Sequence, residues 1–386
     1  MEAQEIIEIL INGEDSRHEF KSKSIGNAGL AKEMVAFSNT SGGIIFIGVN
    51  DERNVEGLSS DDRGRLNQSV PNIASDRICP PIKLGNTGFT QLPDGWVMFV
   101  SVPEGIRKPY MDNNTSIYIR NGANSQKIRS PEEILRMFQN AGSIQADSIP
   151  VRDSSVTDLD KDYFDNFYKK EYYSSINNEE LSVPQLLENM KLAKHGELNC
   201  ACILLFGSQP HNWLPVFNVK AVAFPGKDIE DVNYLDSKDI QGKLSDVYQQ
   251  VLSFVLANLR HIQNEKGFNS LGEPEIPRTV FEELVTNALV HRDYFVSAPV
   301  KVLVFADRVE IISPGHLPNN LTIESIKMGV SNVRNPILHS FATKLLPYRG
   351  IGSGIRRAFN AYPDIELEDD RDRNIFSVII KRNTYQ

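Results

Sequence analysis

Two stretches of this 386-residue sequence gather side chains whose types and spacing could do chemistry. Near the start, Glu14-Asp15-Ser16-Arg17-His18-Glu19-Phe20-Lys21 sets acids and bases together, and Ser41-Gly42-Gly43 then leads into an apolar run that ends at Asp51. Glycine at 42 and 43 permits a tight turn and a close approach that a larger side chain would block. Further on, Glu283, Asn287 and His291 fall four residues apart, so a helix presents them on one face. A carboxylate such as Glu283 can accept a proton or orient water, and an amide oxygen such as that of Asn287 can ligate magnesium beside a triphosphate. The run Arg349-Gly350-Ile351-Gly352-Ser353-Gly354-Ile355 opens a helix, where small residues leave backbone N–H groups open to an anion. Taken alone, a three-glycine loop is a weak signal. His291-Arg292-Asp293-Tyr294 can equally be a polar network at a helix end, where the dipole favours His and Arg.

These groups need elements to hold them. Ile6, Ile7, Leu10 and Ile11, set against Glu2, Glu5 and Glu8, predict a short amphipathic helix over 2–12. A second helix is predicted over 30–38, then an apolar strand over 44–49 and further strands over 96–102 and 116–120. Ser130, Pro131, Glu132 and Glu133 supply an N-cap, a first-turn proline and early carboxylates for a helix over 132–141. Residues 143–160, rich in Ser and Asp, read as an exposed linker. The middle segment carries two strand-like runs, 200–206 and 216–224, and a helical pattern over 240–259. Beyond Pro274 and Pro277 the pattern predicts a helix over 278–290, strands over 300–305 and 308–313, a helix over 335–345, the glycine loop, a last helix and a strand over 376–381. The expectation is a mixed α/β chain of three domains, 1–142, 161–273 and 274–386, with 143–160 linking the first two.

The bulk numbers agree with such a chain and exclude some classes. Apolar residues at 40% and charged residues at 24% are globular values, and the length suits two or three domains. The opening lacks a basic segment and an apolar core of secretory type, and the longest apolar runs fall far short of the roughly 20 residues that span a bilayer. A cytoplasmic chain with no membrane partner is expected. Cys79, Cys200 and Cys202 are odd in number and lack paired metal-clamping spacing, so reduced thiols are expected. Net charge is −9; residues 1–145 hold 15 Lys+Arg against 18 Asp+Glu, and 146–386 hold 26 against 32. Polyanion binding therefore needs a local basic patch.

The segments 14–21 and 42–51, together with Tyr118-Ile119-Arg120-Asn121-Gly122, closely resemble the Schlafen-type divergent AlbA domain over about residues 8–140. Asp15 is inserted before Ser16, and Asn50 stands where the pattern has an aspartate. The resemblance implies that Glu14, Glu19 and Asp51 match the acidic metal site of the family's nucleases, where Mg2+ or Mn2+ activates water and offsets phosphate charge. The plainer alternative leaves Glu14 and Asp15 as solvated turn residues, Glu19 paired with Lys21 or Lys23, and Asp51 opening a turn. Arg17, Lys21, Lys23, Arg107, Lys108, Arg120, Lys127 and Arg129 are the candidate phosphate contacts for DNA or RNA, since sequence-independent binding needs cations on one face. Phe20, Tyr110 and Tyr118 can stack on bases, with core packing the commoner fate of aromatics.

At the other end, Asp307-Arg308-Val309-Glu310-Ile311-Ile312-Ser313-Pro314-Gly315 and Ser331-Asn332-Val333-Arg334-Asn335-Pro336 join the Glu283/Asn287 helix and the glycine loop in one order. That order resembles the RecG-related ATPase-like domain of the gyrase, Hsp90, histidine kinase and MutL superfamily, over about 270–382. The resemblance implies a Bergerat-type α/β sandwich, with helices on one face of a mixed sheet and ATP and Mg2+ as cofactors. Glu283 is then the catalytic carboxylate and Asn287 the magnesium ligand. His291, Ser313, Gly315, Arg334, Asn335, Gly350, Gly352 and Gly354 surround the nucleotide. Where the superfamily reads the adenine amino group with an aspartate, this chain has Ser313. Either Ser313 or a water substitutes, or ATP is not bound and His291, Arg334 and Asn335 have structural roles. The segment 201–207 with Pro210 looks like the piece that joins the two domains in related chains.

The expected function is a nucleic-acid-binding regulator, of bacterial transcriptional type, whose rear domain is a nucleotide-responsive switch and which forms a homo-oligomer. A metal-dependent nuclease in defence or stress is the alternative, and a non-catalytic scaffold the third reading. With no winged helix before Gln386, backbone-directed contact is expected over a specific operator.

Overall fold

The structure, a computed structural model, describes residues 1–229, 233–262, 272–318, 321–350 and 352–382, apart from the side chains of 132 and 140. The first-turn contribution expected of Glu132, and Ile351 of the glycine loop, lie outside the described residues. The chain is mixed α/β and forms two compact units, Met1–Ile144 and Gln145–Gln386.

Unit 1 is built on a four-stranded sheet. Strand β1 (His18–Lys21) pairs in parallel with β2 (Gly43–Ile47), and β2 pairs antiparallel with β4 (Gly95–Val102), which carries β3 (Thr87–Leu92) at the far edge. Alternation sorts the side chains. Phe20, Phe46, Val97 and Phe99 meet Ile6 and Leu10 of α1 (Ala3–Asn12) on one face. Ile45, Ile47, Met98 and Val100 meet Leu30, Met34 and Phe37 of α2 (Asn27–Asn39), and Val70 and Ile73 of α3 (Ser60–Asp76), on the other. Because Phe20 points to α1, its neighbours Glu19 and Lys21 point to α2. The hairpin β5 (Tyr118–Asn121) and β6 (Asn124–Lys127) lies against α2, and α4 (Pro131–Asn140) follows, with Ser130 as N-cap. Helix α3 and strand β3 have no counterpart in the sequence reading: α3 is polar and carries Pro71, yet Ser59 and Asp62 close a capping box at its start.

Unit 2 holds a six-stranded sheet in the order β8-β7-β9-β10-β12-β11, where β7 is Val219–Ala223, β8 Asp236–Ile240, β9 Val300–Val304, β10 Arg308–Pro314, β11 Ile365–Asp370 and β12 Ile375–Lys381. All neighbours are antiparallel except β7 and β9. That parallel pair corrects the expected division at 273, since strands from the supposed middle domain continue the sheet of the supposed last one. The expected linker over 143–160 is corrected as well. Asp147 is fully buried and accepts N–H bonds from Ile337 (2.7 Å) and Leu338 (3.0 Å), and Val151 N–H donates to the Leu198 carbonyl.

The strand-like run 200–206 is in fact a helix. Within unit 2, α5 is Lys161–Tyr172 and α6 is Cys200–Phe206, capped by Asn199, whose side chain accepts the Cys202 N–H; every residue of α6 is buried. Helices α7 (Leu244–Ala257) and α8 (Arg278–Val290) follow, then α9 (Ile323–Lys327), α10 (Pro336–Leu345) and α11 (Gly354–Ala361). Val309 and Ile311 of β10, with Val378 and Ile380 of β12, share one core with α7 and α8. The three cysteines are free thiols, and no helix among the described residues is long and apolar enough to cross a membrane.

Candidate functional site

In unit 2 a cleft opens between α8, the ends of β10 and β12, the segments 315–318 and 321–334, and the described residues of the glycine loop. Ile311, Phe376 and Val378 form its floor, with Leu284 and Ala288 of α8 on one wall. Asn287, His291, Ser313, Gly315, Arg334, Gly350, Gly352 and Gly354 all line it, so eight of the residues singled out around a nucleotide are brought together. Asn335 is not among them. It is fully buried, and its Nδ2 donates to the carbonyls of Val290 (2.9 Å) and Arg292 (2.8 Å), which ties off the end of α8.

Glu283 stands at the end of the cleft where the glycine loop enters α11. One carboxylate oxygen pairs with Arg357 of α11, while Oε2 is buried with no partner among the described residues. Gly354 is packed onto that same oxygen, so a Cβ there would collide with it. Gly352, at φ +74°, takes a conformation that other residues rarely adopt and rests against Gly329. Arg357 was not found by sequence reasoning, and the signal was modest: an arginine one turn into the helix that the glycines open.

At the C-terminal end of α8, His291 Nε2 lies 3.0 Å from the Tyr348 hydroxyl, and its ring and that of His339 both sit beside Tyr348. Burial, with the His339 and Arg334 charges acting in the same direction, pushes His291 down to about 4, so it is neutral at physiological pH. His291-Arg292-Asp293-Tyr294 does form a helix-end network: Arg292 donates to the carbonyls of Val296 (3.2 Å) and Ala298 (2.5 Å), and the Tyr294 hydroxyl to that of Leu289 (2.8 Å).

In unit 1 the charged side chains close on one another. Glu19 is buried between Lys21 and Arg120, with Arg120 Nη1 at 2.5 Å from Oε2. Glu33, a carboxylate inside the apolar face of α2, pairs with Arg120 at 3.5 Å and with Ser125, and stands 3.9 Å from Lys21. Arg120 Nη2 also donates to the Asp15 carbonyl at 2.7 Å. Glu14 lies at the rim, where its Oε1 accepts the Phe20 N–H at 2.8 Å. Desolvation, seconded by the charge of Glu19, raises the Glu14 carboxyl above its usual range against that bond.

Asp51 lies in an exposed turn beyond β2, and among the described residues no three Asp, Glu, His or Cys side chains converge as a metal ion requires. The structure therefore does not preassemble Glu14, Glu19 and Asp51 as a metal centre, because Glu19 spends its charge on Lys21 and Arg120. Two phosphate candidates are corrected for the same reason. Arg120 is buried in this cluster, and Lys108, also buried, donates to the Thr40 carbonyl (2.8 Å) and pairs with Glu104 (2.7 Å). Lys21 is half-buried and paired, whereas Arg17, Lys23, Arg107, Lys127 and Arg129 remain exposed. Phe20 and Tyr110 are core residues and Tyr118 packs against the α2 core.

Unit 2 thus carries a two-layer sheet-and-helix cleft with a glycine loop at one end and a carboxylate beside it. The comparisons agree with both units. The Schlafen AlbA_2 family model matches residues 14–129, inside unit 1, and the recG C-terminal model of HATPase type matches 297–378, inside unit 2. The chain thus combines a Schlafen AlbA domain with a recG-type ATPase-like domain, a pairing that points to a nucleic-acid-related, ATP-binding protein. The second match begins after α8, so the placing of Glu283 and Asn287 rests on the cleft itself. No curated protein matches the chain significantly. Among solved structures, the DIP2311 protein from Corynebacterium diphtheriae is similar at 17% identity and a TM-score of 0.47, over 98% of this chain and 69% of that one.

Proposed function

We propose that this chain is a nucleotide-responsive, nucleic-acid-binding regulator, in which unit 2 binds ATP with Mg2+ and unit 1 contacts the backbone of DNA or RNA. The observation that carries the reading is Oε2 of Glu283, which among the described residues is buried without a partner and lies beneath Gly354, a residue that lines the cleft together with Asn287. A buried carboxylate oxygen without a partner costs free energy unless something arrives to use it. Such a residue set fits a magnesium nucleotide: the glycine loop offers backbone N–H groups and close approach to phosphates, and the Asn287 amide oxygen offers a hard ligand for magnesium. Bound there, the nucleotide would supply a phosphoanhydride and the charge that couples binding to conformation. Glu283, with one oxygen fixed by Arg357, can take a proton from water through the other.

For unit 1, Arg17, Lys23, Arg107, Lys127 and Arg129 are the candidate cations left exposed to meet phosphates, while Glu19, Lys21 and Arg120 serve to hold the fold. The test is a calorimetric titration of the full chain with Mg-ATP, followed by gel shifts on single-stranded DNA, duplex DNA and structured RNA with and without ATP. Saturable binding that Asn287→Ala abolishes, and a shift that ATP alters and Arg17→Ala/Lys127→Ala/Arg129→Ala weakens, are expected. Wild-type protein that binds neither ligand sinks the reading. Manganese-dependent cleavage of the nucleic acid lost in Glu19→Gln, with the variant still folded, would replace it with the nuclease.

A further inference from the structure

If phosphates occupy the glycine-loop end of the cleft, as proposed above, the base lies at the other end, among Ser313, His316 and Arg334. Along α8 the two ends are about 7.5 Å apart, the rise between Glu283 and Ala288. The base end has an unusual balance of hydrogen-bonding groups. Among the described residues, no Asp or Glu lines the base end of the cleft; Glu283 stands at the other end, beneath Gly354. Two neighbouring carboxylates are already engaged: Asp293 accepts the Phe295 N–H through Oδ1 (2.9 Å) and turns Oδ2 toward Arg334, and Asp369 accepts the Leu317 N–H (2.7 Å) and pairs with Arg371. Ser313 gives its hydroxyl hydrogen to the Ala288 carbonyl at 3.1 Å.

Arg334 lines this space with one hydrogen bond and one loose ion pair, to Asp293. Its Nη2 donates to the His316 carbonyl at 2.8 Å, but Nη1 stands 3.9 Å from Asp293 Oδ2, beyond hydrogen-bonding distance. Among the described residues neither Nη1 nor Nε has a hydrogen bond, and the side chain is only 14% exposed. These donors are still open to solvent, and in a cleft with an apolar floor they are free to meet acceptor atoms of a ligand.

We propose that Arg334 reads the carbonyl edge of a 6-oxopurine, so that the cleft prefers GTP and ITP to ATP. The proposal rests on the nucleotide reading of this cleft and adds the identity of the base. O6 and N7 of guanine or hypoxanthine are adjacent acceptors that match the fork of a guanidinium. Adenine keeps N7 but puts an amino donor where O6 stands, so donor faces donor. The apolar floor of Ile311 and Phe376 accepts either ring, which leaves Arg334 to discriminate.

The test is competition against a fluorescent mant-nucleoside triphosphate on the full chain with Mg2+, using ATP, GTP and ITP as competitors. ITP isolates the carbonyl edge because it lacks the 2-amino group. GTP and ITP are expected to displace the probe at concentrations at least about five-fold lower than ATP, the low end for a bidentate base contact. Arg334→Ala erases that difference. Arg334→Lys keeps the charge without the fork and loses most of it, which gives a second variant should the alanine form fail to fold. Equal affinity for the three nucleotides in the wild type overturns the proposal and leaves nucleotide binding intact. So does an Arg334→Ala variant that weakens all three alike, which would mark a phosphate contact. Failure of all three to bind overturns the nucleotide reading as well.

Discussion

Among single residues, the sharpest contrast is between the cations that look alike in the sequence. Arg120 and Arg129 are nine positions apart, and nothing in their local composition separates them. Arg120 is nevertheless buried between Glu19 and Glu33, with its guanidinium over the Phe37 ring at 4.7 Å, while Arg129 is exposed. Removing one partner of a buried ion pair strands the other charge in low dielectric, at a cost of about 3–5 kcal/mol. Arg120→Ala is therefore expected to lower the stability of unit 1 by that order in urea denaturation, whereas Arg129→Ala leaves the midpoint nearly unchanged and acts on nucleic-acid affinity instead. Equal midpoints for the two variants would contradict the assignment of Arg120 as internal. Which cation is free could not be read from the chain because the burial of Arg120 depends on Glu33, 87 residues away, in a helix where Lys32 beside it offers a nearer partner.

At the scale of elements, the parts that were legible carry their own boundary marks. Helix α8 begins right after Pro277 and runs to Val290, as the 278–290 pattern predicts, and the helix over Pro131–Asn140 follows its Ser-Pro start. Patterns without such marks misled. The run Cys200-Ala201-Cys202-Ile203-Leu204-Leu205-Phe206 is apolar throughout, so it has neither a strand's nor a helix's period; burial on all sides makes it helical, with Asn199 as its cap. The Ser- and Asp-rich segment over 143–160 read as a linker for a related reason, since residues that favour turns also cap helices. Asp147 does so from a distance: it accepts N–H bonds at the start of α10, 190 positions further along. Loss of a cap costs about 1 kcal/mol, so Asp147→Ala should lower the thermal midpoint of unit 2 and Asp147→Asn should restore most of it. A midpoint that does not move would show that α10 needs no such cap.

At the scale of the whole molecule, the number of domains turned on one pairing that no local signal announces. Val219–Ala223 lies beside Val300–Val304 in parallel register, Val219 opposite Val300, which fuses the supposed middle and last domains into a single sheet and a single core. Parallel partners are joined by long crossovers, and nothing in the local pattern of either strand names the other. A cut between Ile144 and Gln145 should accordingly yield two fragments that each unfold cooperatively, because each unit has its own core. A cut after Asp160, where the sequence alone suggested the end of a linker, should ruin the second fragment, since it removes Asp147 and the Val151 bond to Leu198 from their places. A ligand that binds only the folded form stabilises it by about 2.7 kcal/mol at a hundred times its Kd. Nucleotide with Mg2+ should therefore raise the melting temperature of Gln145–Gln386 alone, and leave that of Met1–Ile144 where it was. Should the shift appear instead in the first fragment, or should the cut after Asp160 yield the better-behaved second fragment, the division into these two units and the placing of the nucleotide cleft would both be wrong.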